Sequence, residues 1–145
     1  VNGLKNCMCS EKKLAKALAR MTYAFSNATC AKVNLITGEA YGSAYVFMNS
    51  KSVGADLVYA WSGAKIGGMD STLAAKIMYR EAGADEIKQK AADYEKLQDS
   101  AASAAARGYV DRLIDPADTR KYLVAAFEML YTKYVSEPEK KHGTK

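Results

Sequence analysis

Lys32-Val-Asn-Leu-Ile-Thr-Gly-Glu-Ala-Tyr-Gly-Ser-Ala-Tyr-Val46 is the stretch on which the fold turns. Val33 to Thr37 alternates toward apolar and β-branched residues and reads as a short buried strand. Gly38 and Gly42 break that pattern, and the small residues Ser43 and Ala44 lead into the apolar run Tyr45, Val46, Phe47, Met48. A strand, a tight glycine turn and a helix opening on small residues leave several backbone N–H groups unpaired at the helix start. Such donors suit an anion or a developing oxyanion, because the helix dipole adds favourable field at the same point. An ordinary strand–turn–helix of an α/β domain has the same pattern, since lone glycines are a weak signal. Both readings stand on these residues.

Working outward, Ser10 is placed to cap a helix from Glu11. Leu14, Ala17, Leu18, Met21, Ala24, Phe25 and Ala28 share one face, predicting an amphipathic helix against a sheet or a partner. Met21 and Phe25 read as core residues. Asn49 to Ser52 reads as a loop, Asp56 to Trp61 as a strand, and Ala64 to Gly67 as one more short strand. Met69-Asp70-Ser71 opens a helix to about Tyr79 whose apolar face is Leu73, Ile77 and Met78. Glu86 to Leu97 reads as a polar helix. Ser100 to Ala106 is rich in small residues suited to close backbone packing, and Tyr109 to Ile114 is a last strand. Asp115-Pro116-Ala117-Asp118 starts a helix, with Asp at the cap and Pro in the first turn. Its stripe is Leu123, Ala126, Phe127, Leu130 and Tyr134, its stop Glu137-Pro138. Strands alternating with helices indicate α/β layering. No internal repeat or dividing linker is visible.

Composition narrows the chemistry. A chain of 145 residues, 49% of them hydrophobic, makes one domain with a real core. No apolar run approaches the roughly 20 residues that span a bilayer. The start, Val1-Asn-Gly-Leu, does not read as a signal peptide and lacks Met, so a fragment or processed product is expected. Three cysteines, Cys7 and Cys9 among them, with His142 as the only histidine, supply no metal-ligand set and favour a reduced, cytoplasmic setting. The net charge of +5 is dispersed except for Lys133 to Lys145, where Glu137 and Glu139 interrupt it. No nucleic-acid motif accompanies it. A serine triad would have to recruit His142 from the tail. Tyr-Gly-Ser-Ala-Tyr lacks the spacing of a nucleophile elbow, and no phosphate-loop lysine follows the glycines. Glu39 beside the turn is a candidate general acid or base, or simply a solvated carboxylate. What survives is chemistry by backbone dipoles at Gly42 to Ala44, where an enolate or ureido oxygen can be held without a reacting side chain. Such donors are worth roughly 3–4 kcal/mol each, and small residues let a flat ligand reach the main chain.

The quoted stretch resembles the Lys-Val-…-Ala-Tyr-Gly-Gly-Ala-Tyr segment of biotin-dependent acyl-CoA carboxyltransferases and the alpha subunits of acyl-CoA decarboxylases. Gly54-Ala-Asp-Leu-Val-Tyr-Ala-Trp61 is similar to the Gly-Ala-Asp-…-Ala-Trp that follows it there. Arg107-Gly-Tyr-Val-Asp-Arg-Leu-Ile-Asp-Pro-Ala-Asp-Thr-Arg120 resembles a segment near that family's C-terminus. Together they cover most of residues 11–131. The resemblance implies a crotonase-like α/β domain, a ββα spiral, forming the later part of a second carboxyltransferase domain: residues 1–134, with 135–145 a mobile polar tail. It implies biotin on a partner carrier protein, an acyl-CoA substrate, an acyl-CoA-binding carboxyltransferase half and a homo-oligomer, because the site forms between protomers. No nucleic acid, membrane insertion or metal is implied. Gly42, Ser43 and Ala44 match the turn whose amides form an oxyanion hole. Gly3 matches a loop offering a second donor, and Tyr41 and Tyr45 flank the biotin side.

The implied mechanism has carboxybiotin release CO2 beside an acyl-CoA enolate, with no side-chain base. Asp118 and Arg120 match a signature but read as structural. Ala31 stands where the family often has Pro, Ser62 where it has Pro after Trp, and Ser43 where it has Gly. Gly67-Gly-Met-Asp70 also departs from the usual pattern. Carboxyltransferase and decarboxylase share this half. The alternative from another class is an assembly module using helices 11–28 and 116–134 as an oligomer interface. Little or no turnover is expected of the chain alone.

Overall fold

The computed structural model describes residues 11–136. Helix α1 (Glu11–Asn27) leads to strand β1 (Val33–Ile36), strand β2 (Glu39–Tyr41) and helix α2 (Gly42–Phe47). After a single 3-10 turn at Lys51–Val53 come β3 (Leu57–Trp61), β4 (Lys65–Gly67), α3 (Ser71–Met78) and α4 (Ala84–Tyr94). A π turn at Glu95–Asp99 joins α5 (Ala101–Ala106), then β5 (Arg112–Ile114), a 3-10 turn at Pro116–Asp118 and α6 (Thr119–Met129). Gly3, Cys7, Cys9, the Ser10 cap, the Glu137-Pro138 stop and His142 lie outside the described residues.

The chain winds as a spiral of β-β-α turns. β1-β2-α2 is followed by β3-β4-α3, and each turn gives one strand to each of two parallel sheets, β1-β3-β5 and β2-β4. Val33 pairs with Leu57 and Ile36 with Ala60, while Glu39 pairs with Lys65 and Tyr41 with Gly67. This is the crotonase-like α/β architecture. The repeat is structural and absent from the residue pattern, which is why no repeat was visible in the sequence. β2 was not foreseen: three residues are too few to show a period of two, and their partners lie 26 positions downstream.

Side chains of β3 alternate between two cores, as a strand's period requires. Val58 and Ala60 are fully buried against Ile36, Ala40, Ile66, Ala101 and Ala104, the filling between the two sheets and α5. Leu57, Tyr59 and Trp61 face the opposite way, onto Val33, Leu35, Ile114 and the α6 residues Tyr122, Leu123 and Ala126.

Three helices differ from expectation. The predicted apolar face of α3 stands in solvent, with Leu73 at 52% exposure and Ile77 at 54%; Ser71, Ala74 and Ala75 are the buried side. Small residues let α3 and α4 approach closely, which outweighs the pull of the larger side chains inward. Ser100 to Ala106 packs closely, as its composition suggests, but does so as α5, capped by the Ser100 hydroxyl accepting from the Ser103 N–H at 3.2 Å. Asp115 makes no side-chain cap; its carbonyl accepts from the Asp118 N–H at 3.0 Å, and α6 ends at Met129, with Phe127 and Tyr134 of its stripe exposed.

Two motif aspartates do one job twice. The Asp56 carboxylate accepts from the Lys32 N–H at 2.7 Å while its own N–H donates to the Lys32 carbonyl at 2.9 Å. The Asp111 carboxylate accepts from the Val58 N–H at 2.8 Å and its N–H donates to the Val58 carbonyl at 2.8 Å. Each thereby locks a strand to its neighbour just where the ladder begins, satisfying groups that burial would otherwise leave unpaired. A lysine neutralises each: Lys133 at 2.8 Å on Asp56 and Lys51 at 2.7 Å on Asp111. Lys133 Nζ also donates to the Cys30 carbonyl, and Trp61 Nε1 donates to Thr119 Oγ1 at 2.9 Å. Contacts at both ends thus hold α6 to the sheet.

Burial alone would raise the Asp56 pKa, yet the hydrogen bonds from Lys133 and the Lys32 N–H, with both lysine charges, hold it below its ordinary value. A depressed folded-state pKa gives stability that is present above the unfolded value and lost as pH falls through the folded one. Asp56→Ala should therefore cost about 2–3 kcal/mol at neutral pH, the loss of two charge-assisted bonds. Urea titrations of Asp56→Asn should show a smaller stability loss than wild type on acidification below about pH 4.

Candidate functional site

The turn singled out in the sequence sits where β2 passes directly into α2. Gly42 has φ of +64°, and a Cβ there would lie 3.3 Å from the Gly68 carbonyl oxygen. Both facts demand glycine. Tyr41 precedes the helix in an extended conformation and supplies no side-chain cap. The first N–H groups of α2, at Gly42, Ser43 and Ala44, have no carbonyl one turn back within the helix to bind. With only six residues in the helix, those N–H groups rather than a long macrodipole are what the turn offers a ligand.

A cavity of about 330 Å³ opens beside the turn. Gly42, Tyr45 and Val46 form one wall, Ile66, Gly67 and Gly68 at the end of β4 another, and Ser52, Arg107 and Tyr109 the rest. Ser43 is exposed and Ala44 buried beneath the turn. Tyr41 is buried behind the turn and does not line this cavity. Burial, then the charges of Asp99, Glu39, Asp70 and Glu95, push its hydroxyl up to about 12, so it stays protonated. Tyr45 borders both this cavity and a second one of about 220 Å³ between β1 and β2. Its hydroxyl is buried without a hydrogen-bond partner, and burial followed by Tyr109 raises its pKa. Glu39 is exposed at the start of β2 and borders the second cavity only.

Sequence reasoning missed Arg107, Tyr109, Gly67 and Gly68 as cavity residues. The signal lay in the Arg107-Gly-Tyr motif and the paired glycines, but only the spiral brings them to Gly42. Arg107 is pinned: it donates to the Ser103 carbonyl at 3.1 Å, to Gln98 Oε1 at 2.8 Å and to the Gln98 carbonyl. It therefore presents a positive charge at a set place. Among the described residues no group of three His, Cys, Asp or Glu is placed to hold a metal ion. A larger groove of about 890 Å³ runs along α6, lined by Arg120, Leu123, Val124, Phe127 and Tyr131 among others, and shares no residue with the turn. Of the C-terminal motif, Asp118 stands at the start of α6, Thr119 binds Trp61 and Arg120 borders this groove.

The family model of the carboxyl transferase domain matches residues 9–144. The chain is 44% identical over 131 residues to a methylmalonyl-CoA decarboxylase subunit alpha of Propionigenium modestum, covering 86% of this chain and 25% of the relative. It is 41% identical over 135 residues to the methylmalonyl-CoA carboxyltransferase 12S subunit of Propionibacterium freudenreichii subsp. shermanii, with 86% and 25% covered. The chain thus spans about a quarter of the length of these relatives. The crystal structure of a transcarboxylase 12S, a hexamer with methylmalonyl-coenzyme A bound, superposes with a TM-score of 0.92 at 38% identity over 99% of this chain and 28% of that one.

A side chain at the turn has to pay in strain. Gly42→Ala should destabilise the fold by about 1–2 kcal/mol, the cost of a left-handed non-glycine residue. Gly38→Ala, where a Cβ meets nothing within 4 Å, should change the urea midpoint far less.

Proposed function

Because the chain belongs to the carboxyl transferase domain family, we propose that it forms the biotin-side part of a larger carboxyltransferase. That enzyme moves a carboxyl group between carboxybiotin on a partner carrier protein and an acyl-CoA held by a complementary half. The observation that carries the reading is the Gly42 turn, wedged in a left-handed conformation on the Gly68 carbonyl and opening α2 onto a cavity walled by glycine and tyrosine.

The residues present fit a flat ureido ring. Glycines at 42, 67 and 68 expose backbone that side chains would otherwise cover, and Tyr45 and Tyr109 offer flat faces beside it. Bound biotin supplies the ring nitrogen that takes up or gives up the carboxyl group. In this assignment the N–H groups of Gly42, Ser43 and Ala44 hold the ureido oxygen and stabilise charge that grows there, the role in which preorganised donors act most strongly. Tyr45 borders the ring and Tyr41 supports the turn from behind, and the family resemblance assigns a further donor to Gly3, outside the described residues. Arg107 adds a fixed positive charge, which favours the same developing anion. No side-chain base is needed. Ser43 places a hydroxymethyl group at the turn where small residues favour close approach, narrowing access.

The names of two relatives, a carboxyltransferase and a decarboxylase, keep transfer to an acyl-CoA and loss of CO2 as two outcomes of one biotin-side site. An assembly role for α6 is favoured separately by the exposure of Val124, Phe127 and Tyr131 along its groove, which we assign to a homo-oligomer contact. Residues 1–134 act as one partial domain with the tail 135–145 outside it. Among the described residues no helix is long and apolar enough to cross a membrane; the odd cysteine count, with Cys30 unpaired, supports a cytoplasmic setting.

Carboxyl exchange between a biotinylated carrier and an acyl-CoA tests the assignment. The isolated chain should give no measurable turnover, and adding the acyl-CoA-holding half should restore it. In that assembly Gly42→Val should lower turnover by about 100-fold or more, the loss expected for an oxyanion donor, while Ser43→Gly should raise turnover severalfold. Wild-type turnover by a Gly42→Val protein whose circular dichroism shows it folded would overturn the assignment.

A further inference from the structure

The π turn Glu95–Asp99 ends on a side chain that the turn chemistry leaves unused. Asp99 is fully buried, and neither carboxylate oxygen has a hydrogen-bond partner. Buried polar groups are ordinarily paired, so an exception points to a purpose. π turns, which widen a helix locally, are frequent at functional sites. The carboxyl lies directly under Gly67: a Cβ on Gly67 would collide with Asp99 Oδ1 and lie 3.6 Å from the Tyr41 ring. One residue on, the Gly68 carbonyl stands beside Gly42. The Gly67–Gly68 segment therefore adjoins both the Asp99 carboxyl and the Gly42 turn. Two further ties hold the π turn to β4, the bridge between Lys65 and Ser100 and the ion pair of Lys65 with Glu95 at 2.8 Å.

We infer that Asp99 is a positioning residue for the Gly42 turn, transmitting its own protonation state to the backbone donors through Gly67 and Gly68. The functional consequence rests on the biotin-side reading given above; the coupling itself does not. Neutral, the unpartnered carboxyl costs far less in its buried pocket than it does ionised. Ionised, it needs water or a donor, and the π turn can obtain one only by shifting against β4.

The charged and titratable groups around Asp99 come from every side. Tyr41 is on β2, Lys65 on β4, Asp70 at the start of α3, Glu95 on the π turn and Arg107 at the end of α5. Burial, then Asp70 and Glu95, raise the Asp99 pKa to about 6 against the opposing charges of Arg107 and Lys65. Because the folded value lies above the unfolded one, the folded chain holds the proton more tightly and this group's contribution to stability falls as pH rises from about 4 through about 6.

Amide NMR spectra of the 145-residue chain, recorded from pH 5 to 7 in a His142→Gln background, test the coupling. We expect the signals of Gly67, Gly68, Gly42, Ser43 and Ala44 to move together with a midpoint near 6. The Asp99→Asn variant should lose that transition and keep the low-pH positions throughout; Asp99→Ser serves if Asn does not fold. Absence of a shared midpoint at the turn, confinement of the shift to Gly67 and Gly68, or its persistence without Asp99 would each overturn the inference. Urea titrations supply a second reading: between pH 4 and 6 the wild type should be less stabilised by rising pH than Asp99→Asn, and equal slopes would count against it. Free biotin added at pH 5.5 and 7.5 to the assembly with the acyl-CoA-holding half separates the two readings. A turn that titrates but does not respond to biotin sinks the biotin-side assignment and leaves the Asp99 coupling intact.

Discussion

The carboxylates of Asp56 and Asp111 are the constraint on which the fold depends. A parallel sheet of short strands has few ladder bonds, and its first N–H groups open onto a loop edge. Each aspartate closes one such edge by bonding the neighbouring strand through both its carboxylate and its own N–H. Register follows, because a shift by one residue would strand the carboxylate and turn every side chain to the wrong core. The two lysines make this burial affordable in charge, and Lys133 does more by returning the chain beyond α6 to the start of β1 and β3. With Trp61 on Thr119 at the other end, α6 covers Tyr59 and Ile114 and completes the second core.

Once the register is set, the spiral determines what meets at the turn. β2 and β4 end together, so the step from β2 into α2 falls on Gly68, and the cavity forms between them. Its walls come from separate parts of the chain, the glycines at 42, 67 and 68 standing among larger residues such as Tyr45, Arg107 and Tyr109. A Cβ at Gly67 would collide with Asp99, and one at Gly42, already in the left-handed region, would press on the Gly68 carbonyl at 3.3 Å. Backbone groups are exposed there only because the surrounding core, rich in alanine, holds the strands close.

Helical patterning had a different fate. The periodicity of α3 and α6 correctly announced helices with an apolar stripe, yet Leu73, Ile77, Met78 and Phe127 stand half or more exposed. A stripe reports that a helix has a face to cover. It does not report what covers it, and on α3 the smaller side, Ala74 and Ala75, took the intramolecular contact.

Local physics was legible in the chain itself. The strand at Val33, the glycine turn, the strand at Asp56 to Trp61, the helix capped by Asp70 and the small-residue start of α2 all follow from nearest-neighbour preferences, and three motifs pointed to the family. Strand β2, the helix α5 and the early end of α6 were not legible, since three to six residues carry too little periodicity to decide between conformations. Nor did the motifs disclose that Asp56 and Asp111 bind strand edges, or that Arg107 and Tyr109 stand at the cavity of Gly42. The sequence by itself determined that a glycine turn into a helix would exist at Gly42. Tertiary structure alone decided what faces that turn, because its neighbours at Gly68, Asp99 and Arg107 lie 26 to 65 residues away and meet it only through the pairing of β2 with β4.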